Sequence, residues 1–245
     1  MDNLAIIGGT GLDEPGILQV HKRVVVETPY GPPSGAVTQG TLFGKEILFL
    51  PRHGYNHSHP PHKINYRANL WALRELGAEN ILAIAAVGGI REDMPPAKIV
   101  VPDQIIDYTW GRSNSFHDNE SDQVVHIDFT NPYCEDLRRK LFISASAINI
   151  DIIAGGAYGA VQGPRLETSA EILRMQRDGC DIVGMTGMPE ASLAREINLC
   201  YSTCAVVANW AAGKGQGDIT MAEIETNLKT GVSDVMKVLE VLVSG

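Results

Sequence analysis

A short loop rich in arginine and histidine is the segment of this chain with the clearest chemical capacity. Arg52 and His53 directly follow an apolar run at residues 47–50. A guanidinium binds phosphate through two parallel N–H groups, so we expect Arg52 to serve a bound anion and not the core. The histidines of the loop are His53, His57, His59 and His62. Because the loop adds no carboxylate or cysteine ligand, we expect no metal there.

Two glycine-rich segments also end apolar runs. Gly8, Gly9, Thr10 and Gly11 follow residues 4–7, and a second run ends in Ala85-Ala86-Val87-Gly88-Gly89. Without side chains in the way, backbone N–H groups can approach an anion, and Thr10 adds a hydroxyl. The first segment lacks the dinucleotide fingerprint and the Walker lysine, so a simple tight turn stays open. Ligands bind beyond the carboxyl ends of strands in α/β sheets, and three such ends together favour a ligand site.

Strand-like and helix-like segments alternate along the chain. This order predicts an α/β fold, a single domain over residues 1–245 with a mostly parallel mixed central sheet flanked by helices. The predicted strands are 4–7, 47–50, 81–87, 151–157, 181–183 and 201–208, and the predicted helices are 65–76, 132–143, 167–177, 189–199 and 221–242.

Composition excludes several classes of function. The formal net charge of −9 argues against a nucleic-acid-binding surface, and no apolar run is long enough to span a membrane. The opening residues lack a secretory leader pattern, so we expect a cytoplasmic location. The cysteines Cys134, Cys180, Cys200 and Cys204 lack metal spacing, and we expect four buried reduced thiols.

Five motifs occur in an order that resembles the methylthioadenosine phosphorylases within the trimeric purine nucleoside phosphorylase family. They are Gly-Gly-Thr-Gly-Leu from residue 8, Pro-Arg-His-Gly from 51, Ala-Ala-Val-Gly-Gly-Ile-Arg-Glu from 85, Gln-Gly-Pro-Arg-Leu-Glu-Thr from 162 and Gly-Met-Thr-Gly-Met-Pro-Glu from 184. The resemblance implies phosphorolysis of a purine nucleoside, with inorganic phosphate as co-substrate and no other cofactor. It also implies a homotrimer, in which a neighbouring subunit closes the site through the segment around His126.

The resemblance assigns roles to matching residues. The phosphate-binding groups would be Thr10, Arg52, His53, the backbone at Ala86 and the hydroxyl of Thr186. Met185 would lie under the ribose. Methylthioadenosine phosphorylases usually carry a threonine where this chain has Ala85, so one hydroxyl contact is missing.

Two positions bear on the purine base, and they would be the catalytic residues. Methylthioadenosine phosphorylases place an Asp-x-Asp pair where this chain has Asn209 and Ala211, whereas 6-oxopurine phosphorylases place an asparagine first. An amide can accept from N7–H and donate to O6. Glu167, after Leu166 in the base motif, would accept from N1–H. A turn or helix-cap position after a strand for Asn209 and a first-turn helix acid for Glu167 are the structural alternatives.

The sugar end is predicted to be apolar. Met221 and Ile224 fall where 6-oxopurine phosphorylases carry a histidine, and an apolar wall suits a 5′-methylthio group. The resemblance places His126 of a neighbouring subunit at the same end. Taken together, these features and the base positions imply phosphorolysis of 5′-methylthioinosine. A methylthioadenosine phosphorylase, a general inosine/guanosine phosphorylase and a silent nucleoside-binding module remain alternatives.

Overall fold

A single mixed sheet forms the centre of the protein, described by a computed structural model over residues 3–12, 15–118 and 123–245. Its strands are β1 (Leu4–Gly8), β2 (Gln19–Val24), β3 (Val37–Leu42), β4 (Lys45–Pro51), β5 (Asn80–Gly89), β6 (Ile99–Val101), β7 (Gln104–Asp107), β8 (Ile152–Ala154), β9 (Ala157–Ala160), β10 (Ile182–Gly184) and β11 (Cys200–Trp210). The helices are α1 (Tyr66–Glu75), α2 (Glu135–Ala147), α3 (Ser169–Asp178), α4 (Gly187–Glu196) and α5 (Met221–Ser244), with a short 3₁₀ turn at Pro61–Lys63. The predicted single-domain α/β architecture is confirmed.

Strand β5 is the point at which the sheet divides. Along one edge, residues 80–83 pair with β1 in parallel, whereas Gly88 and Gly89 pair with β10 in antiparallel fashion. The other edge pairs with β11 along nearly the whole strand. Between the two partners on the first edge, residues 84–87 have no neighbouring strand in these pairings. A crevice opens there, at the carboxyl ends of the parallel strands where α/β sheets bind ligands.

Helices cover both faces of the sheet and bury two apolar clusters. One cluster includes residues of α1 and α4, and the other includes residues of α2 and α5. The caps follow ordinary rules: Thr168 and Glu171 form a reciprocal capping box at α3, and Thr220 caps α5. None of the described helices is long and apolar enough to cross a bilayer.

Several strands escaped prediction for identifiable reasons. Strand β2 is mostly polar and exposed, β3 is interrupted by Gly40, and β6 has three residues. The predicted strand at residues 151–157 is two strands, because Gly155 and Gly156 adopt positive φ and turn the chain. Tertiary pairing, more than local pattern, determines such elements.

The expectation of four reduced thiols is wrong for two of them. Cys134 and Cys200 form a disulfide, whereas Cys180 and Cys204 are free and buried. The pair is 66 residues apart in sequence and meets because the Cys134 N–H donates to the Tyr201 carbonyl at 2.7 Å. This contact ties the start of α2 to the start of β11, and sequence spacing could not have revealed it.

Candidate active site

The crevice beside β5 is a cavity of about 580 Å³ that gathers the predicted motifs. Its lining includes the predicted residues Thr10, Arg52, His53, Ala86, Leu166, Glu167, Met185, Thr186, Asn209, Met221 and Ile224. A larger cleft of about 850 Å³ lies beside the disulfide, but none of the predicted site residues lines it. The chemistry therefore concentrates in the crevice at the fork of the sheet.

Arg52 lies at one end of this cavity in a buried ion pair. Its Nε and Nη2 donate to the two oxygens of Glu190 at 2.7 and 2.8 Å, and Nη1 donates to the Ile84 carbonyl at 2.7 Å. Both side chains are 1% exposed. Burial opposes the charge on Arg52, but the carboxylate outweighs it and raises the pKa of Arg52. The expectation that Arg52 does not belong to the core is therefore wrong.

Glu190 is a site residue that the sequence reasoning did not single out. Besides Arg52 it accepts a hydrogen bond from Tyr201 Oη at 2.8 Å, and the Thr203 hydroxyl donates to the same tyrosine oxygen. Its only sequence signal is a position four residues after Thr186, in the same motif. Gly9 packs against the pair: a Cβ there would lie 2.4 Å from the Ile84 carbonyl oxygen.

His53 lies next to Arg52 and is neutral. Its Nδ1 lies 2.8 Å from the His59 carbonyl oxygen, and its ring stacks on His57 at 4.4 Å between centroids. Burial lowers the pKa of His53 to about 4, helped by the nearby charge of Arg52 and opposed by the hydrogen bond to His59. An imidazole with this pKa carries no charge near neutral pH.

Three further donors, one backbone amide and two hydroxyls, complete the anion end. Ile84 presents its carbonyl to the unpaired edge of β5, and strand alternation turns the Ala86 amide to the same edge. The hydroxyls of Thr10 and Thr186 belong to residues that line the cavity, and the Thr186 N–H donates to Tyr158 Oη at 3.4 Å. Ala85 lines the cavity as well, without a hydroxyl.

Arg112 is a second residue that the motifs missed, and it fastens the loops around the site. Its Nη1 donates to the carbonyls of Met185 and Met188 at 2.9 and 2.6 Å. Its Nη2 donates to those of Val161 and Gln162 at 3.1 and 2.8 Å. One side chain thus holds the loop under the predicted ribose position to the segment that leads into the base motif.

The base end of the cavity contains Asn209 and Glu167. Asn209 follows a register shift in β11 and is 8% exposed; such bulges re-aim side chains. Its Nδ2 donates to the Trp210 carbonyl at 2.7 Å. Glu167 precedes α3, whose first-turn acid is Glu171, and burial raises the pKa of Glu167. Asn209 lies within β11 and not in a turn or helix cap, and Glu167 lies before α3 and not in its first turn.

Two predicted base contacts differ in accessibility. Leu166 is 44% exposed at the cavity edge. Ala211 is 1% exposed and packs in an apolar cluster with Val161 and Ile172, behind the wall and outside the cavity lining. The position that would carry the second aspartate thus holds a small buried residue.

The sugar end is formed by the start of α5. Met221, 64% exposed, and Ile224 line the cavity and continue into an open groove with Leu228 and Val232. His126 is exposed and does not line the cavity of its own chain. Among the described residues, no group of His, Cys, Asp or Glu is placed to hold a metal.

Comparison with known proteins agrees with this geometry. The sequence model of the phosphorylase superfamily matches residues 3–244. A probable S-methyl-5′-thioinosine phosphorylase of Xanthomonas campestris pv. campestris is 50% identical over 99% of this chain and 97% of its own. The 6-oxopurine nucleoside phosphorylase of Pyrococcus furiosus is 43% identical, over 98% and 91%.

Solved structures show the same fold. Methylthioadenosine phosphorylase from Schistosoma mansoni, in complex with adenine, superposes with a TM-score of 0.94 at 33% identity, covering 99% of this chain and 91% of that one. The resemblance stated from the motifs is confirmed. The chain belongs to the phosphorylase superfamily and, within it, to the nucleoside phosphorylases.

Proposed function

We propose that this phosphorylase converts 5′-methylthioinosine and inorganic phosphate into hypoxanthine and 5-methylthioribose 1-phosphate. The observation that carries the proposal is the base end of the cavity, which Asn209 and Glu167 both line, and where the buried Ala211 stands in place of a second carboxylate. Relatives at 46–52% identity bear the name probable S-methyl-5′-thioinosine phosphorylase. No cofactor beyond phosphate is part of the proposal.

The hydrogen-bonding capacity of the base end suits a 6-oxopurine. The Asn209 amide nitrogen donates one hydrogen bond to the Trp210 carbonyl, and its other hydrogen can be donated to O6. The amide oxygen Oδ1 can accept from N7–H. Glu167 accepts from N1–H of hypoxanthine. Adenine presents a lone pair at N1, so an ionised Glu167 would oppose it, and an unpaired buried acceptor costs about 1–3 kcal/mol.

Catalysis in this proposal is positioning and electrostatics. A phosphate oxygen attacks C1′, the bond from C1′ to N9 breaks, and its electron pair passes to the purine, which takes up a proton at N7 from solvent. Phosphate held by Thr10, Thr186, Arg52 and the Ala86 amide lies beneath the positive sugar in the transition state. Met185, fixed by Arg112, supports the ribose.

The 5′ end supports the methylthio part of the proposal. Met221 and Ile224 offer apolar contact and no hydrogen-bond partner for a hydroxyl. We further propose a homotrimer in which the segment around the exposed His126 covers this end of a neighbour's cavity. A cytoplasmic location stays a prediction.

Three substrates measured side by side test the proposal. We expect kcat/KM with saturating phosphate to be highest for methylthioinosine and to be lower than this value for both methylthioadenosine and inosine. A preference for methylthioadenosine would instead make the protein a methylthioadenosine phosphorylase, the activity for which the Schistosoma mansoni structure is named. Preference for inosine would make it a general 6-oxopurine phosphorylase, and purine binding without turnover in phosphate would leave a nucleoside-binding module. Light scattering on the purified protein tests the trimer.

A further inference from the structure

The anion end of the cavity carries little net charge. Arg52 is the one permanently cationic side chain among the described residues that line the cavity, and the two oxygens of Glu190 already neutralise it. The other donors are hydroxyls and backbone amides. An anion bound here is therefore recognised by the arrangement of hydrogen bonds more than by positive charge.

One group at this end, Nε2 of His53, can accept a hydrogen bond from a bound anion instead of donating one to it. The His59 carbonyl can only accept, so the contact at 2.8 Å places the proton of the neutral His53 ring on Nδ1. Nε2 then carries a lone pair. His53 is 6% exposed and lines the cavity, and among the hydrogen bonds of the described residues its ring takes part in the one to His59, through Nδ1.

We propose that the anion end selects a tetrahedral anion that still bears a proton, whose O–H donates to His53 Nε2. This inference rests on the proposed function and specifies which anions the site accepts. Phosphate and arsenate keep at least one proton near neutral pH. Sulfate and selenate have the same shape and charge as the dianions but no proton to donate.

Discrimination follows from an unpaired acceptor. With sulfate, the Nε2 lone pair of this nearly buried ring faces an oxygen lone pair, and no hydrogen bond forms between them. Since Glu190 offsets the charge of Arg52, general electrostatic attraction cannot compensate for this loss. Protonating His53 would remove the discrimination, but burial lowers the pKa of His53 to about 4, so the ring stays neutral at physiological pH.

Calorimetry with the enzyme at pH 7 and constant ionic strength, without nucleoside, tests the inference. We expect phosphate and arsenate to bind about tenfold or more tightly than sulfate and selenate, a ratio typical of one lost hydrogen bond to a buried group. In His53→Gln the amide can turn an N–H toward the anion, so sulfate and phosphate should bind within about threefold of each other. His117→Gln, at an exposed histidine outside the cavity, should keep the wild-type ratio.

The outcomes separate the two proposals. Equal binding of sulfate and phosphate to the wild type overturns the inference, whatever the variants do. An unchanged preference in a folded His53→Gln overturns the role of this ring. Selective binding without phosphorolysis of any nucleoside leaves the inference standing and rejects the proposed function, whereas phosphorolysis with unselective binding does the reverse.

Discussion

The two ends of the cavity differ in how their side chains are held. At the anion end, Arg52 and Glu190 are 1% exposed and bonded to each other and to the backbone of β5. At the nucleoside end, Leu166 and Met221 are 44% and 64% exposed on a loop and a helix start. The anion end is part of the folded core, whereas the outer part of the nucleoside end, at Leu166 and Met221, lies on the surface.

This difference separates stability from specificity. A change at the anion end disturbs a buried ion pair, so it should cost folding energy as well as activity. A change at the nucleoside end mainly removes contacts that form with substrate, so it should alter selectivity more than it lowers stability. Four substitutions test this division, from the largest expected effect to the smallest.

Arg52→Ala should have the largest effect, on stability. It leaves Glu190 buried without its partner, and breaking a buried ion pair on one side costs about 3–5 kcal/mol. Urea unfolding of the variant and the wild type measures this loss, and phosphate dependence measures the second effect.

A matched control separates the two roles of Arg52. The double variant Arg52→Met with Glu190→Leu removes both charges and should recover much of the stability without recovering phosphate-dependent turnover. If Arg52→Ala were as stable as the wild type, the anion end would not be part of the core as described.

Asn209→Asp should change base selectivity more than stability. The new carboxylate meets O6 acceptor to acceptor and also faces the Trp210 carbonyl, which Nδ2 now contacts at 2.7 Å. We expect kcat/KM for methylthioinosine to fall about tenfold to a hundredfold, and the ratio of methylthioadenosine to methylthioinosine to rise. Asn209→Ala is the control, since it loses the amide without gaining an acceptor for the 6-amino group. A ratio indifferent to the aspartate would exclude Asn209 from reading the base.

The sequence predicted which residues line the cavity better than it predicted the hydrogen-bond partners that hold them in place. Arg52 and His53 could be placed because motifs at strand ends meet at one edge of a sheet, and Asn209 could be placed through the family resemblance. Glu190 and Arg112 could not be placed. Arg52 lies 138 residues from Glu190 in sequence, and the partners of Arg112 lie 46 or more residues from it. A lone glutamate after a proline gives no sign that it will neutralise an arginine in another motif.

The fold shows the same limit. Strands β1, β4, β5 and β11 are rich in apolar residues and were predicted, whereas the polar β2 exists through its pairing with β3. The disulfide between Cys134 and Cys200 likewise depends on the neighbouring backbone contact between α2 and β11. The local hydrophobic pattern predicts strands whose own side chains are apolar and buried. The other strands are determined by long-range pairing.

Glu167→Gln should reduce activity and raise stability at neutral pH. Burial raises the pKa of Glu167 above the usual 4.5, so the folded state favours the protonated form and loses stability as the pH rises through that pKa. Glutamine avoids this loss. The variant's thermal midpoint should therefore match the wild type below about pH 4.5 and exceed it at pH 7.

Glu171→Gln provides the opposite control for this pH dependence. Arg165 and the Thr168 N–H lower the pKa of Glu171 to about 2, so its carboxylate stabilises the folded protein at neutral pH. Its loss should lower the midpoint at pH 7. A Glu167→Gln midpoint that stays below the wild type at every pH would contradict the burial of an unpaired carboxylate.

Met221→His should have the smallest effect, confined to the 5′ group. Met221 is 64% exposed on the first turn of α5, so the substitution should leave the unfolding midpoint almost unchanged. The imidazole supplies a partner for a 5′-hydroxyl and removes apolar contact with a methylthio group, a combined preference on the order of 1 kcal/mol. The ratio of inosine to methylthioinosine kcat/KM should rise by about fivefold. Glu225→His, one turn further on the same helix and beside the open groove, controls for histidine on this surface. An equal shift in both variants would mean that the start of α5 does not read the 5′ group, and specificity would then have to reside in the neighbour's His126 segment.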